Sequence, residues 1–152
     1  MVASRNGRPQ PINYPGPVSL RCLIVDDNPG FLEAARALLQ QEGIQVVGVA
    51  STGAEAVQQA TDLRPDVTLL DIDLGGESGF DVARMLVDSP SAKPGQLILV
   101  SAYSEEEFLE LIEASPAIGF VRKPALSAQA IGTLLQSAGG GEDRRSGTAD
   151  SS

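Results

Sequence analysis

The chain has 152 residues, 42% of them hydrophobic, 20% charged and only 4% aromatic, with a formal net charge of −9. That length suits one domain with modest extensions and a core of Val, Leu, Ile and Ala, and the acidic balance disfavours direct binding to nucleic acid or anionic lipid. No histidine is present, which removes Ser-His-Asp and Cys-His catalysis, His-based zinc sites and phosphohistidine chemistry within this chain.

Residues 1–18 carry four prolines, Pro9, Pro11, Pro15 and Pro17, and few core formers. They read as a disordered N-terminal arm. No apolar stretch follows Arg5 and Arg8, so no signal peptide is expected, and no apolar run approaches the roughly 20 residues that span a bilayer. A cytoplasmic protein without membrane association is the expectation. The single cysteine, Cys22, lies inside the apolar run Leu20–Val25. It reads as a small buried hydrophobe in a reducing compartment.

The folded part is expected over residues 19–137. Its first strand is Leu20–Val25. Asn28 and Pro29 then supply a helix N-cap and a first-turn proline. Phe31, Leu32, Ala35, Leu38 and Leu39 recur at helical spacing until Gly43. A strand over Ile44–Ala50 follows, then a helix opened by a Thr52–Glu55 capping box and running through Asp62. Val67–Leu70 is the third strand and Gly79–Val87 the third helix. Leu97–Val100 is a strand, and Ser104 with Glu107 predicts a second capping box and a helix to about Ala114. Ile118–Val121 is the last strand and Ala125–Gln136 the last helix. Residues 138–152, poor in apolar side chains, are expected to form a disordered C-terminal tail. The pattern is (βα)5. Strands apolar on both faces point to an α/β doubly wound parallel sheet covered by helices on each side.

Ligands of such sheets bind beyond the carboxyl ends of the strands. At those ends this sequence places Asp26 and Asp27, Asp71 and Asp73, Ser101, and Lys123-Pro124. Crowded carboxylates repel one another, and a hard divalent cation such as Mg²⁺ relieves the repulsion through oxygen ligands. Lys123 adds positive charge without competing for the metal, and Ser101 offers a hydroxyl to a phosphoryl oxygen. A carboxylate is also a competent nucleophile, giving an aspartyl phosphate. Each residue has a plainer reading. Asp26 or Asp27 complements a helix dipole, Asp71 and Asp73 precede a Gly-Gly turn, Ser101 is a strand-end hydroxyl, and Lys123-Pro124 is a turn. Glu105–Glu107 reads as a solvated first helical turn. The joint placement of the others at one end of the sheet favours the functional reading.

The segments VDDN, LLDIDLGGESG, LVSAYS and GFVRKPA resemble the receiver domain of two-component response regulators over about Leu20–Gln136. The run VVGVASTGAEAVQQATDLRPDVTLLD is similar to receivers of transcription regulators with a helix-turn-helix output. The resemblance implies a flavodoxin-like strand order 2-1-3-4-5. It makes Asp71 the phosphoacceptor and Asp26 and Asp27 the pair that organises Mg²⁺, Asp27 more directly. Asp73 then offers a backbone carbonyl to the metal. Ser101 contacts the phosphoryl group and Lys123 pairs with its oxygen, so that Asp71, Lys123 and Ser101 form the catalytic set. Phe120 is the aromatic switch, in place of the common tyrosine, and Gly79 closes the loop after Asp71. The Lys123–Pro124 bond is expected cis. Gly75 stands where the family often has proline, which predicts a looser loop.

A sensor histidine kinase or small phosphodonor would phosphorylate such a domain, an unidentified output protein would read it, and homodimers occur among its relatives. No output domain follows, so a stand-alone receiver, or one separated from its output, is expected. Two other functions stay open. Asp71-Ile-Asp73 is similar to the D-x-D of haloacid-dehalogenase phosphatases, although it follows the third strand rather than the first. A degenerate receiver acting as a phosphorylation-independent binding module is the other.

Overall fold

The apolar runs become five strands: β1 (Arg21–Val25), β2 (Gln45–Ala50), β3 (Val67–Asp71), β4 (Gln96–Ser101) and β5 (Gly119–Arg122). They are seen in a computed structural model that describes residues 19–148, with side chains through Ala138. The expected arm over 1–18 and residues 149–152 of the expected tail lie outside the described residues. The helices are α1 (Pro29–Gln41), α2 (Gly53–Leu63), α3 (Gly79–Asp88), α4 (Leu109–Ala114) and α5 (Ala128–Thr148). The sheet has the order β2-β1-β3-β4-β5, and every pairing in it is parallel.

Alternation along each strand explains why the runs are mostly apolar on both faces. Successive side chains point to opposite faces, and both faces are covered. Leu23, Val25, Leu70, Leu97 and Leu99 pack with Ala56 and Ala60 of α2, Val82 and Leu86 of α3 and Ile112 of α4. Cys22, Ile24, Leu69, Ile98 and Val100 pack with Ala35 and Leu39 of α1 and Ile131 of α5. Each large aliphatic side chain buried in this way contributes about 1.5–3 kcal/mol. A polar residue inside these runs needs its own partner, as Thr68 of β3 has in the Pro94 carbonyl, to which its hydroxyl donates at 2.7 Å, and the charged residues collect at the strand ends.

Register then fixes which ends meet. Val25 pairs with Leu70, Asp71 with Val100, and Ser101 with Arg122. The carboxyl ends of β1, β3, β4 and β5 therefore form one edge. Backbone bonds extend that edge past the strands, with Asp26 N donating to Ala50 O at 2.9 Å and Ile72 N to Val100 O at 3.1 Å.

Four local expectations are corrected. The α4 region opens with a 3-10 turn over Glu105–Phe108, and Ser104 makes no side-chain cap. The Glu107 amide that a capping box would use is bonded to the Ser104 carbonyl, at 3.3 Å. The Lys123–Pro124 bond is trans, as are all peptide bonds among the described residues. Trans is the favoured isomer of X–Pro, and proline fits early in a helical turn because it has no amide to satisfy. Here Lys123–Ala125 form a short 3-10 turn, so α5 begins at Ala128 rather than Ala125. Finally, α5 continues to Thr148, past the boundary expected at residue 137. Extending a formed helix costs far less than nucleating one, so it runs on through Gly139–Gly141 despite their poor propensity.

The loop after β3 is also tighter than a Gly-Gly pair suggests. Asp73–Leu74 and Glu77–Ser78 form a two-stranded antiparallel ribbon turning at Gly75-Gly76. Gly75 has φ +74°, a left-handed conformation that such a turn requires and that glycine adopts without strain. The ribbon leads into Gly79, whose amide donates to Ile72 O at 2.8 Å. A Cβ at Gly79 would run into the Asp71 carbonyl oxygen and the Ile72 Cα.

Two measurements test this packing. Gly79→Ala should destabilise the protein by about 1–3 kcal/mol, the usual cost of overpacking, read as a lower urea midpoint at unchanged slope; a midpoint equal to the parent's would contradict the close approach. The Cys22 thiol is fully buried, and that burial pushes its pKa up to about 12 against a small opposing bond from Leu69. An aromatic disulfide reagent near pH 8 should therefore label Cys22 only after denaturant is added, since the thiolate is the reactive form.

Candidate functional site

Asp26 leaves the end of β1 directly into the protein, with 0% of its surface exposed. One oxygen, Oδ1, accepts from the Asn28 amide at 2.8 Å. Asn28 in turn caps α1, its Oδ1 accepting from Gly30 N and Phe31 N at 2.9 and 3.2 Å. The second Asp26 oxygen is buried and pairs with Lys123 Nζ at 2.8 Å. Asp27, next in the chain, is exposed.

Asp71 ends β3 at 6% exposure. Its Oδ1 accepts from the Asp73 amide at 3.1 Å and its Oδ2 from Lys123 Nζ at 3.2 Å. Oxygens of Asp26, Asp27 and Asp71 all fall within 4.8 Å of one another. One ammonium faces three carboxylates, so two formal negative charges remain. Lys123 is held from a third side by Phe31 of α1, whose ring centroid is 4.4 Å below Nζ, a cation–π contact.

These groups surround a pocket of about 240 Å³ whose wall includes Asp27, Asp71, Asp73, Ser101, Tyr103 and Lys123. Ser101 is almost fully buried, and its Oγ accepts from Tyr103 N at 2.9 Å, leaving its O–H to donate. Asp73 is exposed and its side chain accepts from Gly75 N at 3.2 Å. Phe120 lies elsewhere. It is half-buried on β5, packed on the core and bordering a separate groove of about 550 Å³ beside α5. The structure thus brings Asp26, Asp27, Asp71, Asp73, Ser101 and Lys123 together and sets Phe120 apart.

Burial is the main influence on Asp71 and raises its pKa from 3.8 to about 6; the Asp73 amide opposes this, Asp26 adds to it, and Lys123 opposes it. Burial alone would lower the Lys123 pKa, but the bonds and charges of Asp26 and Asp71 outweigh it and the net direction is upward. The donor set suits a hard divalent cation. It offers only oxygens, gathers three carboxylates within 4.8 Å and carries uncompensated negative charge.

Sequence reading missed three residues here. Phe31 was read only as part of the apolar helix face, yet one turn after Asp27 its ring meets Lys123. Tyr103 forms part of the pocket wall and tilts against Phe108, ring centroids 6.3 Å apart. Glu77 accepts from Gly53 N at 2.7 Å. Only Phe31 had a signal, its place in the first turn of a helix that starts at the acidic edge.

A family model described as the response regulator receiver domain matches residues 22–135. A protein-glutamate methylesterase/protein-glutamine glutaminase of Myxococcus xanthus is 36% identical over 110 residues, covering 72% of this chain and 31% of the relative. Response regulator GacA of Pseudomonas viridiflava is 32% identical over 114 residues, covering 74% and 52%. The chain spans about a third to about half the length of these curated relatives. Among solved structures, the signal receiver domain of a response regulator NarL from Mycobacterium tuberculosis superposes with a TM-score of 0.67 at 29% identity, over 80% of this chain and 98% of that one.

The Asp71 shift has a consequence for stability without divalent cations. A carboxyl whose pKa is higher folded than unfolded stabilises the fold below the unfolded value, and that contribution is lost as pH rises through the folded value. Asp71 should therefore favour folding below about pH 4 and lose that effect on passing about pH 6. In chelator, lowering the pH from 7 to 5 should raise the melting temperature more in the parent than in Asp71→Asn. Identical pH profiles would contradict it.

Proposed function

The chain belongs to the response regulator receiver domain family, and we propose that it is a phosphorylation switch in which Asp71 accepts the phosphoryl group. The observation that carries this reading is the position of Lys123 Nζ, 3.2 Å from Asp71 Oδ2 and 2.8 Å from Asp26 Oδ2, at the edge where β1, β3, β4 and β5 end. Phosphoryl transfer asks a protein mainly for positioning and charge stabilisation, and both are built into this pocket.

Asp71 is held by the Asp73 amide and the Lys123 ammonium, so its carboxylate meets the donor in one orientation. One of its oxygens attacks phosphorus in line, and the donor's leaving group departs with the bonding electrons. The chain contains no histidine, so a phosphohistidine donor must come from another molecule, a sensor histidine kinase. Lys123 follows the new charge on the phosphoryl oxygens, and the Ser101 O–H is placed to donate to one of them. Asp26, Asp27 and Asp71, with the Asp73 backbone carbonyl, are the residues that would hold Mg²⁺. Once bound, that ion offsets the carboxylate repulsion and the charge of the transferring group.

The phosphoryl group adds about −1.5 to −2 charges at a site already negative. Relief comes from drawing in Ser101 and Lys123, which end the strand β4 and follow the strand β5. Phe120 pairs with Leu99 across those same strands, which makes it the ring through which the shift reaches the surface read by an output protein. The whole role is signalling.

Acetyl phosphate with Mg²⁺ should produce an acid-stable, base-labile acyl phosphate on the parent. Asp71→Asn should abolish it, and chelator should suppress it by at least tenfold. Asp73→Ala should change labelling only mildly, whereas a D-x-D phosphatase would lose its general acid and its turnover of phosphate monoesters. An Asp71→Asn protein that labels like the parent would overturn the assignment.

A further inference from the structure

The ribbon that follows Asp71 is pinned at two points. Leu74 is buried in the core between β3 and α3, 5% exposed. Opposite it in the ribbon, Glu77 reaches across to α2, where its Oε1 accepts from Gly53 N at 2.7 Å. That amide is the first of the helix, one of the donors with no partner inside the helix, and it lies at the positive end of the macrodipole. The contact is closely fitted. A Cβ at Gly53 would stand 2.7 Å from Glu77 Oε2 and 3.0 Å from Val82 Cγ2. Two residues before Glu77, the ribbon tip rests against the acidic cluster, since a Cβ at Gly75 would stand 2.9 Å from Asp27 Oδ2. Gly75 and Asp73 both border the acidic pocket.

We propose that Glu77 is a positioning residue for the cation site: its bond to the first amide of α2 clamps the ribbon, and the clamped ribbon sets where Gly75 and Asp73 stand relative to Asp27 and Asp71. The inference rests on the reading of this pocket as a Mg²⁺-dependent phosphoacceptor. The turn is Gly75-Gly76, two residues with the widest backbone freedom, so without the clamp the ribbon has only Leu74 and its own pairing to hold it. The wall of the pocket then fluctuates, and a cation must pay the cost of ordering it. Partners that orient metal ligands from outside typically contribute about 10–100-fold in affinity.

The experiment compares the full chain with Glu77→Ala, Glu77→Gln and Thr52→Ala. Mg²⁺ alone is titrated by calorimetry, amide exchange is followed at Gly75 and Gly76 in chelator, and acetyl phosphate labelling is measured at limiting and saturating Mg²⁺. Glu77→Ala should weaken Mg²⁺ binding about tenfold, speed exchange at the ribbon tip, and slow labelling at limiting Mg²⁺ but not at saturation. Glu77→Gln keeps an acceptor oxygen and should stay within about twofold of the parent. Thr52→Ala removes the other side-chain cap of α2, where Thr52 Oγ1 accepts from Glu55 N at 3.1 Å. It should lower the melting temperature and leave Mg²⁺ affinity alone, which separates positioning from simple helix stabilisation. Should Glu77→Ala not fold, a Glu77→Gln protein weakened as much as tenfold would overturn the oxygen-acceptor basis of the clamp, and one within twofold supports it. Glu77→Ala with parental Mg²⁺ affinity and ribbon exchange overturns the proposal while leaving the phosphoacceptor reading intact. A parent that binds Mg²⁺ but never labels defeats the phosphoacceptor reading instead.

Discussion

Three carboxylates crowd together at the carboxyl edge of the sheet with one ammonium paired to two of them, and most of the architecture around them follows from that imbalance. Asp26 and Asp71 are buried, at 0% and 6% exposure, and a buried charge is tolerated only when paired and hydrogen-bonded. Lys123 reaches both. For one side chain to do so, β1, β3 and β5 must end at the same level, although β5 lies two strands from β3. Parallel pairing with matched register delivers that level, and the apolar strands beneath make it rigid. Backbone amides of Asn28 and Asp73 take up the oxygens facing the loops. What remains is a net negative pocket, poised for a cation and a phosphoryl group.

The loops around this cluster repeat a single device, a carboxylate accepting from the open amides of a helix start. Glu55 Oε1 accepts from Ser51 N before α2, Glu77 accepts from Gly53 N at its first turn, and Glu42 accepts from Ala128 N at the start of α5. The last two are contributed by distant parts of the chain, so they fasten one element to another as well as satisfying a helix end. An acidic protein thereby places part of its negative charge where helix dipoles favour it. The same logic explains how the loop after β3 stays ordered with Gly75 in place of proline: a specific turn, a buried Leu74 and a carboxylate clamp replace the stiffness of the ring.

Close approach at glycine sets the geometry of the acceptor. Gly79 lets the start of α3 lie against the Asp71 carbonyl, and no other residue type leaves that space free. The backbone of Asp71 is thus fixed on both sides, by the ladder to Val100 within the sheet and by the α3 entry behind it. Its carboxylate is therefore directed by backbone constraints before any side chain contributes.

Much of this was legible in the chain itself. Unbroken apolar runs such as Cys22–Val25 and Leu97–Val100 identify strands covered on both faces, since a half-exposed strand would alternate, and the polar residues that end those runs identify the edge of the site. These are local patterns, readable from neighbouring residues, and they gave the five strands, the doubly wound sheet and the candidate site. The meeting of Lys123 with Asp71, 52 positions apart, was expected from their shared edge of the sheet, but other distant contacts were not readable, such as Glu77 with Gly53, 24 positions apart. The burial of Asp26 beside the exposure of Asp27, the ring of Phe31 under an ammonium, the 3-10 start at Glu105 and the trans bond before Pro124 all depend on what packs against them. Composition and spacing specify which face of an element is apolar; only the assembled sheet and helices specify what each polar group then touches.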